Sequence, residues 1–156
     1  MSEQPSPGPS LEAAQWRPRI AAVRPAIGRA VHVAWDDGSE HEVDLGAFLD
    51  RFEVFRPLDG DAPFAAVAVG EWGACLHWTD DMEIAAGTLR RLALEQDAAR
   101  FRAWREGHGL AQAAAGDALG LSRRMMQYYE AGTHPIPKTV KLAMIGYDTL
   151  ARERAA

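Results

Sequence analysis

The sequence predicts an α+β unit built on a small antiparallel sheet, followed by an all-α unit. Three observations carry this expectation. Apolar residues recur with a period near two from Arg19 to Trp78, and with helical spacing afterwards. Turn chemistry (Asp36-Asp37-Gly38, Gly70-Glu71-Trp72-Gly73) separates the alternating runs. The charge changes sign along the chain: residues 1–97 carry 8 Lys+Arg against 17 Asp+Glu, and residues 98–156 carry 9 against 5. An acidic front and a basic back read as two functional units, of which only the second tolerates a polyanion. The expected division is a disordered tail over 1–17, rich in Pro, Ser and Gly, an α+β unit over 18–95 and a helical unit over 98–152.

Ile20 to Val23 reads as a first strand and Val31 to Trp35 as a second, with Ser39 to Leu45 as its return. A two-residue turn at Asp37-Gly38 would set Val33 against Glu42 and mix apolar with charged residues on one face. A three-residue loop, with Gly38 in the left-handed region, pairs Val33 with His41 and Val31 with Val43 and keeps one face apolar. The same register puts His32 and His41 on opposite faces, so they cannot share a metal. Gly46 to Arg51 reads as one helical turn, with Phe52, Val54, Phe55 and Leu58 as apolar anchors. Phe64 to Val69 and Ala74 to Trp78 read as a second strand pair, and a helix is expected from Ala86 to Gln96 with Leu89, Leu92 and Ala93 on one face.

His41 and His77 are read as structural histidines. Asp80, Asp81 and Glu83 could bind a metal or do acid–base work, but helix capping by the aspartates is the preferred reading. Cys75, the single cysteine, reads as an inert buried thiol. Of the five tryptophans, Trp35, Trp72 and Trp78 belong in or beside the sheet, Trp104 belongs to a helical core, and Trp72 is the best candidate for an exposed contact. With no nucleophile–base pair, phosphate loop or metal-ligand spacing, the sequence predicts no enzyme, cofactor or catalytic residue. The lack of a secretory start and of a long apolar run leads to the expectation of a cytoplasmic protein.

The residues Arg19-Ile20…Val23-Arg24-Pro25, Val33-Ala34-Trp35-Asp36-Asp37-Gly38, Val43-Asp44-Leu45, Val54-Phe55-Arg56-Pro57-Leu58, Phe64-Ala65-Ala66-Val67, Leu76-His77-Trp78, Asp81-Met82-Glu83-Ile84 and Thr88-Leu89 resemble, in order, the bacterial domain of unknown function 2442 family. The resemblance spans about residues 18–92 and implies a fold without an established chemistry.

The run from Leu110 to Ser122 carries the functional expectation. Leu110, Ala114, Ala115 and Leu119 give one helix an inward face, and Gly120 ends it. Leu121 is expected in the turn, and Ser122 caps the next helix by accepting a backbone N–H near Met125. That helix, Arg123 to Ala131, is stopped by Gly132. Met126 and Tyr129 share its inner face and leave Arg123, Arg124, Gln127 and Tyr128 outside.

Leu110, Gln112, Leu119-Gly120-Leu121-Ser122, Tyr129-Glu130-Ala131-Gly132 and Pro135-Ile136-Pro137 together resemble the Cro and phage-repressor (XRE-like) helix-turn-helix family over about 50 residues. The resemblance implies a lambda-repressor-like domain of the five-helix type. It implies base contacts from Arg123, Arg124, Gln127 and Tyr128, and backbone contacts from Gln112, Ser122, Thr133, His134 and Lys138. Ala111 departs from the usual capping residue, Gly116 from the usual Ala, and Ala115 from a larger apolar residue. Met125 is expected to be exposed. The implied function is sequence-specific binding of double-stranded DNA in bacterial transcriptional control, as a symmetric homodimer on an inverted repeat. The N-terminal unit would dimerise through its edge strands and Trp72, sense a ligand or bind a partner. The alternative is an antitoxin-like module whose acidic unit masks a basic partner.

Overall fold

A computed structural model describes residues 17–156; the tail expected over 1–17 falls almost wholly outside the described residues. Two three-stranded antiparallel sheets precede the helical half. Strands β1 (Ile20–Pro25), β2 (Ala30–Trp35) and β3 (Glu40–Asp44) form the first, in that order. Val33 pairs with His41 and Val31 with Val43. The loop is the expected three-residue one: Trp35 N–H donates to the Ser39 carbonyl, and Gly38 sits at φ +82°, where a side chain would be strained. Val31, Val33, Val43 and Leu45 are fully buried on the face this register selects. His41 shares that face, whereas His32 lies on the other, 3.2 Å from Glu42.

The next segment departs from expectation. Helix α1 is Gly46–Leu49, and a 3-10 helix covers Glu53–Asp59. Phe55 and Leu58 are buried, but Phe52 and Val54 are about half exposed and do not anchor the core. The run expected as a strand over Phe64 to Val69 begins instead as helix α2, Asp61–Ala65, leaving only β4, Ala68–Val69. Asp61 in the first turn and Pro63, which needs no amide partner there, favour a helix start. β4 pairs with β5 (Cys75–Thr79), which pairs with β6 (Met82–Ala85), a strand the sequence reading did not include. Asp80 and Asp81 form the β5–β6 turn. They do not cap a helix, because the residue preceding α3 is Ala85 and no side chain caps it.

Helix α3 runs unbroken from Ala86 to Gly107, through the expected junction near residues 95–98. Its first half closes the sheet core with Leu89 and Ala93; its second half starts a separate helical core with Phe101. Three further helices follow among the described residues: α4 (Gln112–Leu119), α5 (Arg123–Ala131) and α6 (Lys138–Ala155). With the end of α3 they make four, not a five-helix arrangement. Among the described residues, no helix is long and apolar enough to cross a membrane.

Candidate nucleic-acid interface

The α4–α5 pair is built as its residue types dictate. Ala111 precedes α4 without a side-chain cap, and Gly120 ends the helix at φ +71°. Ser122 then accepts the Met125 backbone N–H at 3.2 Å and starts α5. Ala115 and Gly116 face inward, while Ala114 is exposed, a correction to the expected inner face. The turn explains Gly116: a Cβ there would lie 2.8 Å from the Leu121 carbonyl oxygen and 3.2 Å from Met126 Cγ. The two helices approach too closely for alanine, so a residue that weakens α4 in isolation is required by the turn. Leu110, Leu119 and Leu121 pack half-buried against the core formed by Phe101, Met126 and Tyr129. Met125 packs there too and is not the exposed residue expected.

Arg123, Arg124 and Gln127 lie exposed on the outer face of α5; Tyr128 is half-buried. The Tyr128 hydroxyl accepts from Arg124 Nε at 2.6 Å, and its ring stacks on His134 with centroids 4.3 Å apart. Thr133 Oγ1 donates to the Tyr128 carbonyl. Lys138 is exposed at the first turn of α6. The Gln112 side chain is half-buried and donates to Glu130 at 2.7 Å.

Glu130 enters the sequence reading only as part of a family pattern, without the structural role it takes here. It is 8% exposed and binds Arg105 through its carboxylate, while its backbone carbonyl accepts from Arg102. This locks the end of α3 to α5. The signal was available: Glu130 lies four residues after Met126, on the buried face.

The sheet half contributes a second polar centre. Trp35 Nε1 donates to His41 Nδ1 at 2.9 Å, which leaves Nε2 as the protonated nitrogen of a neutral ring, 3.5 Å from Asp97. Burial pushes the His41 pKa down to about 4; the facing Asp97 carboxylate opposes this without reversing it, and Arg90 and Lys141 add to the depression. Asp97, 5% exposed, also accepts from Arg100 at 2.9 Å and from Lys141 at 2.8 Å. Beside it, Arg90 reaches Asp37 and Ser39 and lies over the Trp35 ring. Residues 20–95 match the family DUF2442, a protein of unknown function. The DUF2442 region is thus fastened by α3 and the Asp97 centre to α6, the helix that carries Lys138. Its hairpin residues Asp37 and Glu40 share a groove with Lys138 and Lys141. These carboxylates oppose a phosphate approaching either lysine.

A crystal structure of "Putative DNA Binding Protein NE0471" from Nitrosomonas europaea ATCC 19718 is similar to this chain at 30% sequence identity. The likeness covers 85% of this chain and 87% of that one, with a TM-score of 0.49. No curated protein matches the chain.

Elsewhere in the DUF2442 region, Trp72 is 82% exposed, as expected from its turn, and holds a left-handed backbone at φ +57°. Cys75 lies at the start of β5 and is half-buried, not mid-strand and buried. Burial and the nearby Glu83 carboxylate raise its thiol pKa. His77 stands in β5 opposite Glu83 and Ala68.

Proposed function

We propose that α4 and α5 act as a helix-turn-helix and that the protein binds double-stranded DNA sequence-specifically, as a transcriptional regulator. The observation that carries this reading is the outer face of α5. Arg123, Arg124 and Gln127 are exposed together on a helix whose opposite face, Met126, Tyr129 and Glu130, is buried and locked. A helix held by its back and presenting Arg and Gln suits the major groove, where those side chains bond guanine and adenine edges. Lys138 and Thr133 flank it on the side where a phosphate backbone would run. The DUF2442 region serves as the dimerising or sensing module, and a symmetric dimer would read two half-sites about one helical turn apart.

The test is a titration of a labelled random-sequence duplex with the full chain at several salt concentrations. Binding whose affinity falls by several powers of the salt concentration supports the reading. An absence of binding at low salt contradicts it.

A further inference from the structure

The outer face of α5 is internally ordered. Arg124 and Tyr128 stand one turn apart, so their side chains meet. Arg124 Nε donates to the Tyr128 hydroxyl at 2.6 Å, with the guanidinium carbon 5.3 Å from the ring centroid. His134 stacks on the same ring, centroids 4.3 Å apart and planes 14° apart. Thr133 Oγ1 stands 3.0 Å from His134 Nδ1 and donates to the Tyr128 carbonyl at 3.2 Å. The chain can fold back in this way because Gly132 ends α5 in the left-handed region. Four side chains from α5 and the following loop therefore form one column about the Tyr128 ring.

We propose that Tyr128 is a positioning residue, with His134 behind it, and that the column presets Arg124 for end-on, bidentate reading of a guanine. The proposal rests on the DNA-binding reading above and names the specificity-determining group within it. With Nε engaged by Tyr128, the donors left on Arg124 are its two terminal nitrogens. That pair matches the O6 and N7 acceptors of guanine. A long flexible side chain held before binding loses less rotamer freedom when it binds, so preference at one base pair rises without a new contact to DNA. The Tyr128 hydroxyl accepts from Arg124 and keeps its own O–H as a free donor.

The experiment is selection of sites from random duplex DNA by the full chain and by Arg124→Ala, Tyr128→Phe, His134→Ala and the Arg124→Ala/Tyr128→Phe double variant. Arg124→Ala is expected to flatten a guanine preference at one position. Tyr128→Phe keeps the stacked ring and loses the hydroxyl. It should lower that same preference roughly three- to tenfold, the range one hydrogen bond is worth. The other positions should be unchanged, and the double variant should fall no further than Arg124→Ala. His134→Ala should weaken the same position, which separates the column from a local effect of the phenol. If Tyr128→Phe flattens a different position, Tyr128 reads its own base and the proposal is overturned. It is equally overturned if the Tyr128→Phe profile matches the parent. A parent chain that enriches no sequence overturns the DNA-reading role itself, a result distinct from either.

Discussion

Alanine at position 116 should destabilise the protein, although alanine is the better helix former. In an exposed helix interior, Gly→Ala gains about 1 kcal/mol. At Gly116 the new methyl would sit 2.8 Å from the Leu121 carbonyl oxygen, closer than real Cβ atoms come. That oxygen belongs to the turn, and the Leu121 N–H is itself bonded to the Gly116 carbonyl at 2.7 Å, so the backbone cannot swing away cheaply. Met126 Cγ, at 3.2 Å, belongs to a fully buried side chain. Overpacking of this kind costs about 1–3 kcal/mol, so the net loss should be about 1 kcal/mol. Gly146, in the interior of α6, provides the control: a Cβ there would meet nothing within 4 Å. Gly146→Ala should therefore stabilise by about 1 kcal/mol. Denaturant melts of the two variants should move in opposite directions from the parent. A Gly116→Ala midpoint that rises as much as that of Gly146→Ala would refute the close helix approach, and with it the turn that positions α5.

Three further outcomes follow from the polar centres and the surface. The unfolded chain takes a proton on His41 near pH 6.5, whereas the folded protein resists until about pH 4. Stability is therefore complete above pH 6.5 and falls as pH drops toward 4, by about 3 kcal/mol at most; His41→Gln should flatten that window in pH-dependent urea melts, and an unchanged profile would remove His41 as its cause. Lys138→Ala should weaken all duplexes alike and lower the salt slope by roughly one unit; weakening confined to one sequence would show that Lys138 is not a phosphate contact. Trp72→Ser should weaken a dimer in sedimentation at micromolar protein, and an unaffected dimer would move the interface away from the β4–β5 turn. Cutting the chain at residue 97 cannot make that test, because the cut falls inside α3.

The first sheet was legible because two constraints agreed. Gly38 supplied the turn, and only one register buried Val31, Val33 and Val43 together. The Phe64 to Val69 run misled because Phe64, Val67 and Val69 suggested a strand, whereas Ala65 and Ala66 and the start signal of Asp61 and Pro63 favour a helix over its first half. Strand β6 was missed for its length, although Met82, Glu83 and Ile84 alternate in burial as a strand requires. The charge reversal near residue 97 falls between two cores, Ala93 closing the first and Phe101 opening the second, while α3 continues through it. Charge does not end a helix, and no glycine or proline stands between Gly87 and Gly107 to do so. Gly120, Ser122 and the Met126/Tyr129 face were readable from spacing alone. The Gln112–Glu130 hydrogen bond was not, because Glu130 meets Gln112 only once α4 folds against α5. The Asp97 centre was unreadable for the same reason, since it assembles residues from β3, α3 and α6.

The most direct measurement of the central claim is the base preference selected from random duplex DNA by the full chain, compared with that selected by Arg123→Ala, Arg124→Ala and Gln127→Ala. Exposed, preset side chains on a locked α5 predict a defined site, with each variant flattening its own position and Arg124→Ala costing roughly 1–3 kcal/mol at a guanine. Duplexes recovered without any enriched sequence, or a site that all three variants select unchanged, would contradict the assignment of α5 as the reading helix.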